Sequence, residues 1–139
     1  MLLRIEQDDL RNALNAVCDV AHREGGLALV VGGCVRDSLL GHQAKDIDVE
    51  VYGVEPAVLK NRLATLFRID LVGDAFGVIK LHGLMVDISI PRRESKAGLG
   101  HKGFDIFSDP SMTVEEAASR RDFTINSMAY DPKSDKLFD

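Results

Sequence analysis

The sequence predicts an α/β (α+β) domain, and three observations carry that class. Leu27-Ala28-Leu29-Val30-Val31 is a continuous apolar run, as in a strand covered on both faces. Before it, Leu10, Leu14, Val17 and Ala21 recur at helical spacing. After it come three β-rich runs, Phe67 to Val72, Val78 to His82 and Leu84 to Ile90, punctuated by Gly73, Gly77 and Gly83.

The elements follow in order. Asp8 or Asp9 caps a first helix that runs to about Arg23 and is ended by Gly25-Gly26. Its face with Arg11, Asp19 and Arg23 reads as solvated. Leu27 to Val31 is the first strand, Cys34 to Leu40 a short helix closed by Gly41, and Asp46 to Tyr52 the next strand. Pro56 suits the first turn of a helix whose apolar face is Leu59, Leu63 and Leu66. The three β-rich runs are joined by tight turns, with Lys80 a surface charge or, as the lesser alternative, a phosphate contact. Pro91 to Pro110 is a long polar loop with Gly98, Gly100 and Gly103. Thr113 and Glu116 form a capping box at the start of a further helix. Met128 to Tyr130 is a short strand, Asp131 to Ser134 a turn, and Lys136 to Phe138 the start of its return.

The 139 residues suit one domain that buries roughly 70% of its unfolded surface. No apolar run reaches the roughly 20 residues of a membrane span, and the N-terminus lacks the apolar core of a signal peptide. A cytoplasmic protein is expected. Cys18 and Cys34 have neither metal-ligand nor disulfide-framework spacing, so buried reduced thiols are expected. A net charge of −5 disfavours a stand-alone nucleic-acid binder, though an acidic protein can carry a locally basic site. His22, His42, His82 and His101 form no ligand set.

The stretch from Leu29 to Glu50 gathers the chemistry. Gly32 and Gly33 sit where a strand enters a helix. They serve either a tight turn or the close approach of a phosphate to free N–H groups. Arg36 follows near the same helix start, with Asp37 beside it to orient its fork. Asp46 and Asp48, two residues apart on a strand, point to one face and repel each other unless a cation lies between them. Mg²⁺ suits one or two carboxylates plus phosphate oxygens; an acidic strand edge is the plainer alternative. Asp87 stands in an apolar strand, either as a third ligand or general base or as a hydrogen-bonded edge carboxylate. Arg120-Arg121-Asp122 and Asn126 read as a charged helix end or as a nucleotide contact, with Asp122 and Asn126 on one helical face. The Walker and dinucleotide glycine patterns are absent.

Taken together, Gly32-Gly33-Cys34-Val35-Arg36-Asp37, Asp46-Ile47-Asp48 and Arg120-Arg121-Asp122-Phe123-Thr124-Ile125-Asn126-Ser127-Met128-Ala129 resemble the head domain of class II tRNA nucleotidyltransferases. These are the CCA-adding enzymes and the related bacterial poly(A) polymerases. Pro91-Arg92-Arg93-Glu94-Ser95-Lys96 resembles that family's loop, and the likeness covers roughly Ala28 to Asp131. The resemblance implies a polymerase-β-like fold, a mixed central sheet flanked by helices. It implies Mg²⁺ on Asp46 and Asp48, nucleotide phosphates at Gly33 and Arg36 with Gly32 beside them, and nucleotide contacts from Arg121, Asp122 and Asn126. Asp87 matches no position shared by all members.

The activity so implied is Mg²⁺-dependent addition of CMP or AMP from CTP or ATP to an RNA 3′ end, most simply the CCA end of tRNA. A poly(A) polymerase head, or a non-catalytic nucleotide-binding module that needs a partner chain, is the alternative. Residues 1–139 then form a head domain truncated before the neck, body and tail that grip RNA.

Overall fold

In a computed structural model, residues 3–72, 77–90, 92–94, 106–108 and 128–138 are described. The first helix, α1, spans Asp8–Arg23, and all four positions of its apolar stripe are buried. Each Leu so removed from water stabilises the fold by about 1.5–3 kcal/mol. The capping expectation is corrected: Gln7 is the N-cap residue and makes no side-chain cap bond. Asp8 and Asp9 lie inside the first turn, where their charge still favours the positive end of the helix dipole. The solvated reading of its polar face holds only in part, because Asp19 is ion-paired to Lys133 of a distant turn.

β1 (Leu27–Val31) leads into α2 (Gly33–Leu39), which is followed by β2 (Ile47–Tyr52) and α3 (Pro56–Ala64). Pro56 opens α3, and Leu59 and Leu63 are fully buried. Leu66 lies beyond the helix end and is 56% exposed, so it does not belong to that apolar face. β3 (Ile69–Val72), β4 (Val78–Leu81), β5 (Val86–Ser89), β6 (Arg92–Glu94), β7 (Ile106–Ser108), β8 (Ala129–Asp131) and β9 (Lys136–Phe138) complete the described elements. The stretch from Pro91 to Pro110 therefore holds an antiparallel pair, β6–β7, in what the sequence presented only as a loop. The capping box at Thr113 and the helix expected after it lie outside the described residues.

Seven strands form one mixed sheet in the order β3-β4-β5-β2-β1-β8-β9. β2 and β5 are parallel, and the other neighbours are antiparallel. Ala28 and Val30 of β1 join a core with α1, α3, Ile47, Val49 and Val51. Leu29 and Val31 face the other way and pack with Tyr52 and Ala129. The uninterrupted apolar run of β1 thus reflects a strand covered on both faces. In β2 the core takes alternate residues only, which turns Asp48 to the opposite face. That alternation and the order of strands around β2 position the site.

Candidate functional site

Val31 of β1 is the register partner of Asp48 on β2. The chain leaves β1 straight into Gly32, so the glycine turn arrives beside the Asp48 carboxylate. Gly32 has φ 84° and ψ −153°, a region that only glycine occupies without strain. A Cβ on Gly32 would lie 3.5 Å from Asp48 Oδ2, and one on Gly33 would lie 3.3 Å from Arg36 Nη2. Arg36 therefore folds back over the start of α2, and its Nε donates to Asp37 Oδ1 at 3.2 Å. The Arg36–Asp37 ion pair expected from the sequence is present.

On its other side, Asp48 is the register partner of Asp87 on the parallel strand β5. Asp87 is in turn opposite Lys80 on β4, and Lys80 opposite Asp70 on β3. A row of charged side chains crosses four strands. Lys80 Nζ donates to both Asp87 oxygens at 2.9 Å. His82 Nδ1 lies 3.3 Å from Asp70 Oδ2. Partial burial raises the pKa of Asp48, and the nearby Asp87 and Asp46 carboxylates raise it further. That pattern marks a group held among like charges without a full counter-cation.

Asp46 precedes β2, and with Asp48 it borders two open clefts. One, of about 350 Å³, is walled by Gly33, Asp37, Gln43 and Lys45. The other, of about 460 Å³, is walled by Asp70, Lys80, His82 and Asp87. Among the described residues, no group of three or more His, Cys, Asp or Glu is arranged to hold a metal ion. What stands between the clefts is an exposed pair of hard oxygen donors. Such a pair fits Mg²⁺, which keeps several waters and completes its shell with substrate phosphates, better than it fits a metal that needs a closed protein cage.

The sequence singled out Gly32, Gly33, Arg36, Asp46, Asp48 and Asp87, and the structure brings these six to one end of the central strands β1, β2 and β5. Arg121, Asp122 and Asn126 lie outside the described residues. Sequence reasoning missed Gln43 and Lys45 as cleft walls. It also missed the commitment of Asp87 to Lys80. A signal for the latter existed: a hairpin centred on Gly83-Leu84 pairs residue 80 with residue 87. Cys34 is buried beside the site, with its thiol bonded to the Val31 carbonyl at 3.4 Å. Burial pushes its pKa up, so it is a packing residue rather than a nucleophile.

The mixed seven-stranded sheet with its flanking helices matches the nucleotidyltransferase head fold of CCA-adding enzymes. The chain belongs to the poly A polymerase head domain family, whose model matches residues 28–139. It is 39% identical over 110 residues to a "Multifunctional CCA protein" of Xylella fastidiosa, covering 79% of this chain and 25% of that protein. It is 34% identical over 142 residues to "Poly(A) polymerase I" of Haemophilus influenzae, covering 96% of this chain and 30% of the relative. Among solved structures, the Thermotoga maritima CCA-adding enzyme complexed with tRNA matches at TM-score 0.68 and 28% identity, over 98% of this chain and 30% of that one. A CCA-adding enzyme complexed with ATP matches at TM-score 0.65 and 27% identity, over 94% and 29%. The chain thus spans about a quarter to a third of the length of the proteins it matches. No helix among the described residues is long and apolar enough to cross a membrane.

Proposed function

We propose that this chain is the catalytic head of an RNA 3′-terminal nucleotidyltransferase, which transfers CMP and AMP from CTP and ATP to the 3′ CCA end of tRNA. The observation that carries the reading is the position of Asp48. It stands between the Gly32 turn and a second carboxylate, with Asp46 two residues away bordering the same clefts. Asp46 and Asp48 hold Mg²⁺ in this reading. Bound there, the ion lowers the pKa of the attacking 3′-hydroxyl and neutralises charge on the triphosphate. The backbone at Gly32 and Gly33 lets a phosphate approach where any side chain would intrude. Arg36, oriented by Asp37, presents its guanidinium to the same phosphates. Arg121 adds a nucleotide contact, and Asp122 and Asn126 meet the ribose, as the family resemblance implies.

The relatives whose names carry CCA addition, and the tRNA bound to the Thermotoga enzyme, support tRNA as the acceptor. The net charge of −5 is consistent with RNA being gripped by sequence outside this domain. In this reading the reaction runs in the cytoplasm, where free NTPs and tRNA meet. The Haemophilus relative favours a second reading, poly(A) addition at the same head. A chimera tests the head as the catalytic unit: residues 28–139 replace the matching segment of the Xylella protein, and labelled CTP and ATP are offered with tRNA lacking CCA. Mg²⁺-dependent addition that Asp48→Asn abolishes supports the proposal. Addition that survives Asp46→Ala/Asp48→Ala refutes the metal assignment.

A further inference from the structure

Beyond the metal and phosphate contacts, the molecule carries an apolar groove by α3, the buried Cys34 and, within the acidic cleft, the Lys80–Asp87 pair. The last reaches furthest. Lys80 lies on β4 between Ile79 and Leu81, which face the core, so its side chain is turned to the same face as Asp87 and Asp48. Its Nζ is equidistant, 2.9 Å, from the two Asp87 oxygens. Asp48, the register partner of Asp87, is one strand further along. As a structural brace the pair achieves little, because both partners are exposed, Lys80 at 46% and Asp87 at 39%. What the geometry does accomplish is to set a positive charge against the acidic edge at the point where Asp87 adds to the repulsion around Asp48.

We infer that Lys80 is the built-in counter-cation of this acidic edge and competes with the divalent metal for it. The inference rests on the assignment of Asp46 and Asp48 as metal ligands. While Lys80 holds Asp87, the site presents two available carboxylates and a nearby repelling charge, so free metal binds weakly. A triphosphate delivered at the Gly32 turn then supplies the anionic oxygens that tip the balance. The device makes metal loading depend on nucleotide, and Lys80 is a positioning residue in it, acting through Asp87.

The test measures Mn²⁺ binding to the 139-residue chain by the electron paramagnetic resonance signal of the free ion, without nucleotide. Lys80→Met keeps the aliphatic stem and removes the charge. Its Mn²⁺ dissociation constant is expected to fall about three- to tenfold, as for one unit charge removed near the ion in a mostly aqueous setting. Lys80→Arg keeps the charge and is expected to stay within about twofold of the parent. Added Mn²⁺ is also expected to raise the melting temperature of Lys80→Met more than that of the parent. Equal or weaker Mn²⁺ binding by Lys80→Met, while the parent binds through Asp46 and Asp48, overturns this inference alone. Parent binding that survives Asp46→Ala/Asp48→Ala, or no binding by either the parent or Lys80→Met, overturns the metal assignment and this inference with it.

Discussion

Asp48 and Asp87 stand side by side, joined by the parallel pairing of β2 with β5 and separated by 39 positions in the chain. Neither residue's local sequence requires the other. Their proximity has a cost that pH reveals. Asp48 binds its proton more readily in the folded chain than in the unfolded one, because partial burial and then Asp87 and Asp46 oppose its charge. Its contribution to stability is therefore complete below the ordinary carboxylate range and is lost as pH rises through its elevated folded value. Asp48→Asn is expected to remove that loss and to raise the melting temperature of the metal-free domain at neutral pH. Asp19 has the opposite sign: its bond to Lys133 lowers its pKa, so its contribution is lost as pH falls. Thermal melts of the parent, Asp48→Asn and Asp19→Asn between pH 3 and 8 separate the two (~pH 3–8 spans both carboxylate transitions).

Gly32→Ala is expected to destabilise the domain by about 1–3 kcal/mol, the cost of forcing a side chain into its backbone region. The space is not the obstacle, since the added Cβ meets Asp48 Oδ2 at an ordinary contact distance. Relief of the strain shifts the turn beside Asp48, so nucleotide affinity falls together with stability. A variant that melts like the parent contradicts the strained-turn assignment.

Gly26 has the opposite problem. A Cβ there would sit 2.2 Å from the Tyr52 carbonyl oxygen and 2.6 Å from Val54 Cγ2. Gly26→Ala must push β1 away from the end of β2, at an expected cost of about 3 kcal/mol or more, at the severe end for single substitutions. Gly25→Ala, whose Cβ meets nothing within 4 Å but whose φ is +82°, is expected to cost about 1 kcal/mol. Chemical denaturation of the two variants reads the difference directly.

Both thiols are expected to resist a disulfide reagent until the chain unfolds. Cys18 is buried and its pKa is pushed up to about 12, chiefly by desolvation. Cys34 is shielded in the same way and is bonded to Val31. Rapid reaction of either thiol under native conditions contradicts this packing.

Much of the fold was legible because local rules determined it. The stripe on α1, the apolar run of β1, the alternation of β2 and Pro56 at the start of α3 each fix an element from its own residues. The acidic site was half legible: Asp46 and Asp48 border the same clefts, but Asp46 lies in the bend before β2, so strand alternation does not set its direction. Strand order was not legible, because the β2–β5 pairing is non-local and leaves no periodic trace. Hence Asp87 stayed ambiguous between ligand and edge carboxylate, and Lys80 read as a plain surface charge. Leu66 was misread because the three-residue spacing continues past the point where α3 ends.

Calorimetric titration of the 139-residue chain with CTP or ATP, with and without Mg²⁺, tests the phosphate-and-metal site most directly. Binding is expected only with Mg²⁺ present, and Asp46→Ala/Asp48→Ala is expected to abolish it. Equal affinity in that double variant, or binding indifferent to the metal, would show that the edge between Gly32 and Asp87 is not where the nucleotide is held.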